Sequence, residues 1–225
     1  MKIHVVSATR SDRDSFWNTG ALGLSLRRLS EDTRLVPWIA YENTLGLPAI
    51  YNQALNSQTD GDIIVFMHDD VWLDDLYFGD RIQRGLDYFD VIGIAGNRRR
   101  VKKQPGWAFV DQQFNWDERS NLSGAVAHGK SAFGKPTIYG LAPERCELLD
   151  GILLATRANT LSKTGCRFDP RFMFHFYDLD FCRTASAAGL RLGTWPISVT
   201  HQSGGAFGTE SWWRGYGDYL DKWKQ

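Results

Sequence analysis

Ile63-Ile-Val-Phe66 is an uninterrupted apolar run that ends, after Met67, at His68-Asp69-Asp70. Consecutive apolar residues without alternation predict a strand buried on both faces, as in a parallel sheet. Open α/β sheets bind ligands at the carboxyl ends of their strands. Two adjacent carboxylates at that edge concentrate negative charge where a hard cation can neutralise it. Mg²⁺ commonly binds through one or two carboxylates together with substrate phosphates. The first expectation is a metal–diphosphate site. Asp pairs also suit helix caps and solvated turns. Leu73-Asp-Asp75 repeats the pair without a preceding strand and reads as a cap or turn for the segment from Leu76.

The alternation of elements extends this reading. Residues 2–8 form a first buried strand and residues 15–30 a helix. Residues 34–40 form a second strand, placed near a sheet edge by Pro37. A short helix begins at Pro48, and the strand ending at His68 follows. A helix around 76–89 leads to a strand at 91–95. Such alternation predicts a parallel α/β sheet. Residues 97–147 break it with Gly, polar residues and scattered aromatics, and read as an irregular or hairpin-rich insertion. A connection this long without regular structure is expected to serve function. Residues 148–156 return to strand character, and Asp178–Gly189 reads as an amphipathic helix closed by glycine. Residues 190–199 suggest a final strand pair, and 209–223 a helical, aromatic tail. The expected organisation is one domain over 1–225, with a nucleotide-binding half at 1–96, the insertion at 97–147 and an acceptor-side half at 148–225.

At 225 residues, 43% of them hydrophobic, the chain can bury one large core. A formal net charge of zero argues against a general polyanion binder, and no nucleic-acid partner is expected. Arg98-Arg99-Arg100-Val-Lys102-Lys103 is the local exception, suited to a solvated loop or to contact with phosphate or an anionic membrane. Cys146, Cys166 and Cys182 are odd in number and lack metal-site spacing, so they read as reduced thiols in a cytoplasmic protein. Met1-Lys-Ile-His-Val-Val enters a strand pattern directly, without a secretory signal. No apolar run is long enough to span a bilayer, which leaves only peripheral membrane contact. The nine Trp suit stacking on sugars and bases as well as core packing.

Phe174-His-Phe-Tyr-Asp-Leu-Asp180 is the second informative segment. A carboxylate in a helix's first turn feels the positive end of the dipole, which lowers its pKa, while aromatic surroundings raise it. Asp178 therefore suits either a cap or a general base. Four segments in order resemble the GT-A nucleotide-sugar glycosyltransferases, in particular the family-2-like group. They are Val5-Val-Ser-Ala-Thr9, Asp62–Val71, Phe168-Asp-Pro-Arg-Phe through Asp180, and Thr200-His-Gln-Ser-Gly. The likeness is nearest to the small branch named for a streptomycin-biosynthesis protein domain. It covers roughly 3–100 and 148–205, and the insertion least.

The resemblance implies a GT-A (Rossmann-like) mostly parallel sheet flanked by helices. It implies sugar transfer from a nucleotide-diphosphate donor to an acceptor hydroxyl. His68-Asp69-Asp70 stands where the family has Asp-x-Asp, with His68 in place of the first Asp. Asp70 is then a ligand of Mn²⁺ or Mg²⁺, with His201 as a further ligand, and Asp69 lies by the ribose or donor sugar. Tyr177-Asp178 stands where the family has Glu-Asp, which makes Asp178 the base of an inverting transfer and Asp180 the fallback. Ser7, Arg10, Tyr51 and Asn52 are expected along the nucleotide, and Asp150 by a bound sugar. The acceptor class, whether glycan, lipid, protein or small molecule, is left open, with its determinants expected in 97–147 and at Trp212-Trp213. The alternative is a catalytically weak nucleotide-sugar binding module, motivated by His68 and Tyr177. A nucleotidyltransferase is disfavoured because Ser7–Asp14 lacks the glycines of a phosphate loop.

Overall fold

The structure is a computed structural model that describes residues 1–57, 59 and 61–225. The chain opens with β1 (Ile3–Ala8), α1 (Arg13–Thr19), α2 (Ala21–Arg28), β2 (Leu35–Ala40), α3 (Leu47–Asn56) and β3 (Ile63–Met67). Next come β4 (Val71–Leu73), α4 (Phe78–Tyr88), β5 (Val91–Gly93), β6 (Ala95–Asn97), β7 (Leu122–His128) and β8 (Lys135–Gly140). β9 (Glu144–Arg145), β10 (Leu148–Leu149), β11 (Leu153–Arg157) and α5 (Ala158–Thr164) follow. The chain closes with α6 (Tyr177–Ala187), β12 (Leu192–Thr194), β13 (Val199–His201) and α7 (Glu210–Trp223).

Seven strands form a central sheet in the order β2-β1-β3-β11-β5-β12-β9. β1 runs parallel to β2 and β3, and β5 runs parallel to β12. β11 enters antiparallel between β3 and β5, and β9 closes the far edge antiparallel to β12. The sheet is thus mixed, with a parallel nucleus at its amino-terminal side. Every residue of β3 is buried, which accounts for its unbroken apolar sequence. β2, which carries Pro37, lies at the sheet edge as its proline requires.

A second sheet has the order β10-β6-β7-β13-β4, with β8 folded back on β7 as a hairpin. Among the described residues seven stretches of chain pass from the central sheet to this one or back: β3 to β4, β4 to β5, β5 to β6, β8 to β9, β9 to β10, β10 to β11 and β12 to β13. The 91–95 strand of the sequence reading is therefore two short strands, split at Ile94, and the 190–199 pair belongs to two different sheets. A buried run of apolar residues looks the same whether it stays in one sheet or crosses to the next. The first of these crossings is His68-Asp69-Asp70 and the sixth is Asp150-Gly151-Ile152. They are tied together by His68 N–H donating to the Ile152 carbonyl at 3.2 Å.

Residues 15–30 are likewise two helices, divided at Gly20, whose backbone is extended (φ −71°, ψ 140°). The break lets α2 fold back on α1. A β-carbon on Gly23 would lie 2.0 Å from the Phe16 carbonyl oxygen, so this approach needs glycine. The insertion supplies the β7–β8 hairpin and, before it, a loop pinned by a bridge between Phe109 and Trp116. Arg99 of the basic run is tied to the buried Asp117 at 2.5 Å and Arg98 lies 3.6 Å from Glu144, so part of that run is structural. Asp75 accepts from Tyr77 N–H ahead of α4 at 2.9 Å, as a turn residue should. Asp74 instead reaches the second sheet, accepting from Thr200 Oγ1 at 2.6 Å. No helix among the described residues is long and apolar enough to cross a membrane.

Candidate functional site

The crossings at His68–Asp70 and Asp150–Ile152 open into a cleft of about 670 Å³. His68, Asp69 and Asp70 line it from the β3–β4 crossing, Asp150 and Gly151 from the β10–β11 crossing, and Tyr177 and Asp178 from the start of α6. His201 enters from the end of β13. The register of β13 against β4 places it there: His201 pairs with Val71, one residue past Asp70. His68, Asp70 and His201 each offer a ligand atom, and these atoms lie within 4.8 Å of one another. Among the described residues no other group of His, Cys, Asp and Glu meets that geometry.

The electrostatics separate the acids. Burial opposes ionisation of Asp70, but the hydrogen bond from His201 and the nearby His201 and His68 outweigh it and hold the carboxyl at about 2. Burial drives the His68 pKa down, so its imidazole is favoured neutral, the form that can act as a ligand. Asp178 goes the other way. Burial raises its carboxyl, the Asp150 charge adds to this, and the Leu179 and Gly151 N–H groups oppose it, leaving it at about 7. Those two N–H groups, at 2.9 and 3.0 Å, fix the orientation of the carboxylate.

The start of α6 is itself constrained. Phe176, which precedes Tyr177, has φ +65°, a left-handed conformation rarely adopted by an aromatic residue. Its buried ring packs against Trp212, Tyr216 and Tyr219 of α7 at centroid distances of 5.0, 5.7 and 5.5 Å. The aromatic tail thus holds the turn that aims Tyr177 and Asp178 into the cleft.

Five expected site residues lie outside the cleft lining. Ser7 is buried at the end of β1, where Ala8 lines the cleft instead, and Arg10 is exposed beyond it. Tyr51 is a core residue, packed on Phe66 and Phe168 at 4.8 and 5.2 Å. The Asn52 carboxamide is occupied by the backbone of Phe168, donating to its carbonyl at 2.8 Å and accepting from its N–H at 3.1 Å. Asp180 is fully buried on the opposite side of the first turn of α6, bonded to Lys222 Nζ at 2.9 Å and Trp223 Nε1 at 2.9 Å. Two residues along a helix reverse a side chain's direction, and here that turns Asp180 onto α7.

The structure adds residues that sequence reasoning did not single out. Trp107 Nε1 donates to Asp150 Oδ2 at 2.6 Å. Trp116 stacks on Tyr139 (5.8 Å, 17°) and receives the edge of Phe109 (5.2 Å, 71°). All four aromatics come from the insertion and line the cleft. Their signal in the sequence is the run of aromatics between glycines, but only the hairpin fold brings them to one wall. His128, at the end of β7, also lines the cleft, 6.3 Å from the His201 ring.

No protein-family model matches this sequence, and neither does the sequence of any curated protein. Solved structures do resemble the fold. GalNAc-T7, solved with UDP, GalNAc and Mn²⁺, superposes with a TM-score of 0.54 at 12% identity, over 99% of this chain and 50% of that one. The catalytic domain of Drosophila beta1,4galactosyltransferase 7, in complex with xylobiose, gives 0.48 at 12% identity, over 86% of this chain and 64% of that one. A197 from STIV gives 0.49 at 11% identity, over 93% and 98%. The chain therefore spans half of GalNAc-T7 and under two thirds of the galactosyltransferase domain. The mixed α/β architecture is similar to the GT-A fold.

Proposed function

We propose that the protein transfers a sugar from a nucleotide-diphosphate donor to an acceptor hydroxyl, with inversion, using a divalent metal and Asp178 as general base. One observation carries this reading: the His68–Asp70–His201 cluster and the raised Asp178 carboxyl share a cleft whose lining, among the described residues, contains no Lys or Arg. Asp69, Asp70 and Asp150 line that cleft, so a diphosphate entering it alone would meet like charge. A cation has to accompany it.

The donor set fits such an ion. Two imidazoles and one carboxylate suit a first-row transition ion better than Mg²⁺, which prefers oxygen ligands. The solved GalNAc-T7 structure holds Mn²⁺ with UDP. When bound, the metal supplies charge neutralisation for the leaving diphosphate. The protein's own groups do the rest. Asp178, with its proton affinity poised near neutrality, takes the proton of the acceptor hydroxyl. The acceptor oxygen bonds to the anomeric carbon as the bond to the diphosphate oxygen breaks. One base and one displacement give inversion. Asp150, held by Trp107 and by Ile152 N–H, presents a fixed acceptor for sugar hydroxyls. The Trp116–Tyr139 wall offers a flat apolar face to an acceptor. Assignment to the branch named for a streptomycin-biosynthesis protein domain is part of this proposal and rests on the order of the four sequence segments.

A second reading, a nucleotide-sugar binding module with weak catalysis, is favoured by one feature: Tyr177 stands beside Asp178 with its hydroxyl already engaged, and Asp180 is turned onto α7, so Asp178 is the one acid of the first turn of α6 that lines the cleft. The two readings separate in an assay of nucleoside-diphosphate release from a panel of nucleotide sugars with Mn²⁺ and varied acceptors. Acceptor-stimulated release by the wild type, lost in Asp178→Asn, supports transfer. Donor binding without release under every acceptor supports the binding module.

A further inference from the structure

His68 and Tyr177, the two residues that depart from the family pattern, are hydrogen-bonded to each other, with His68 Nε2 and Tyr177 Oη 2.9 Å apart. Tyr177 has one hydroxyl proton. The carbonyl oxygen of Gly151, at 2.8 Å, can only accept, so that proton goes to Gly151. The Tyr177 oxygen is then the acceptor toward His68, and His68 must carry its proton on Nε2. Its Nδ1 is left with the free lone pair.

The chain of contacts continues beyond Gly151. The Gly151 N–H donates to Asp178 Oδ2 at 3.0 Å. A single residue thus receives the Tyr177 hydroxyl on its carbonyl and holds the Asp178 carboxylate with its amide. A β-carbon at this position would lie 2.3 Å from Tyr177 Oη and 3.0 Å from Asp178 Cβ, so glycine is needed for both contacts to form. The Tyr177 ring is buried between Tyr51 and Phe168, at 5.8 and 6.2 Å, which keeps its hydroxyl on this line.

We propose that Tyr177 and Gly151 are positioning residues: Tyr177 holds His68 as the Nε2–H tautomer with Nδ1 free to bind a metal ion, and Gly151 ties that histidine to Asp178. Groups that hydrogen-bond the second nitrogen of a ligating histidine fix its tautomer and ring orientation, and their loss typically lowers metal affinity by about 10–100-fold. The tautomer itself follows from hydrogen bonding alone; its service to a metal rests on the function proposed above.

The test reads the tautomer first, without metal. Long-range ¹H–¹⁵N spectra of ¹⁵N-histidine-labelled protein distinguish Nε2–H from Nδ1–H, and His68→Gln identifies the His68 signals among the five histidines. The expected result is a pure Nε2–H form in the wild type and a mixed or Nδ1–H form in Tyr177→Phe, which keeps the ring and the fold. Mn²⁺ titration followed by electron paramagnetic resonance is expected to show about tenfold weaker binding by Tyr177→Phe. An Nδ1–H wild type, an unchanged His68 spectrum in the variant, or equal Mn²⁺ affinity would each overturn the proposal. If the wild type binds no Mn²⁺, the metal reading fails, and the spectra still decide the tautomer.

Discussion

The Asp70 carboxylate and the His201 imidazole meet at 3.2 Å because β13 pairs antiparallel with β4 in a register that sets His201 opposite Val71. Gln202 N–H closes the same ladder on the Asp70 carbonyl at 3.0 Å. A slip of one residue would turn His201 to the other face and dissolve the cluster. The candidate metal site is thus a product of strand register at the seam between two sheets.

Asp178→Asn is expected to lower turnover by about 10²–10⁴-fold with donor affinity kept. In the wild type kcat/KM should rise with pH through about 7, as the Asp178 carboxyl loses its proton. Initial rates from pH 5.5 to 8.5 check this. Equal turnover by Asp178→Asn would remove this residue from the mechanism.

The same carboxyl makes a prediction about stability. Its pKa is raised in the folded state from an ordinary 3.8 to about 7. Between those values the folded protein keeps a proton that the unfolded chain has released, so stability falls as pH rises through this window and levels off above it. Asp178→Asn lacks this contribution. The wild type should lose ground to the variant between about pH 4 and 7, with a constant difference at higher pH, as measured by urea unfolding across the range.

Asp180→Ala should behave as a structural lesion. It leaves Lys222 with Asp169 alone at 2.8 Å and Trp223 Nε1 without its acceptor. Leaving a buried donor without a partner costs about 1–3 kcal/mol, which for a chain of this size lowers the melting temperature by roughly 2–12 °C. Turnover per folded molecule, measured well below that melting temperature, should match the wild type.

Trp116 is 55% exposed, unusual for a tryptophan fixed on two sides by other rings, and it lines the cleft. Trp116→Ala is expected to raise the KM for the acceptor about five- to tenfold, equivalent to ~1 kcal/mol of stacking. Donor affinity should be unchanged. A change in donor affinity with acceptor KM intact would assign this wall to the nucleotide instead.

The sequence revealed the β3 edge because its apolar run is continuous and its polar stop abrupt, and revealed α6 because helix and glycine stop agree. His68, Asp69, Asp70, Asp150, Asp178 and His201 do come together in one cleft. The sheet crossings were hidden, since Val91–Asn97 has the same apolar character on both sides of Ile94. Tyr51 and Asn52 lie outside the cleft lining for a related reason. A polar and an aromatic residue on a short helix look ligand-facing in one dimension, whereas here they clamp Phe168, more than a hundred residues away. The Tyr177–His68 contact had no local signature, because neither residue's neighbours in sequence determine it.

Metal dependence of donor binding tests the account most directly. Thermal unfolding would be followed with UDP, GDP, dTDP, CDP and ADP, each with and without Mn²⁺, for the wild type and Asp70→Asn. A ligand at about 100 times its dissociation constant adds roughly 2.7 kcal/mol, or about 5–10 °C here. The account predicts such a shift with one nucleotide, only with Mn²⁺, and none in Asp70→Asn. An equal shift without metal, or no shift with any nucleotide, would contradict it.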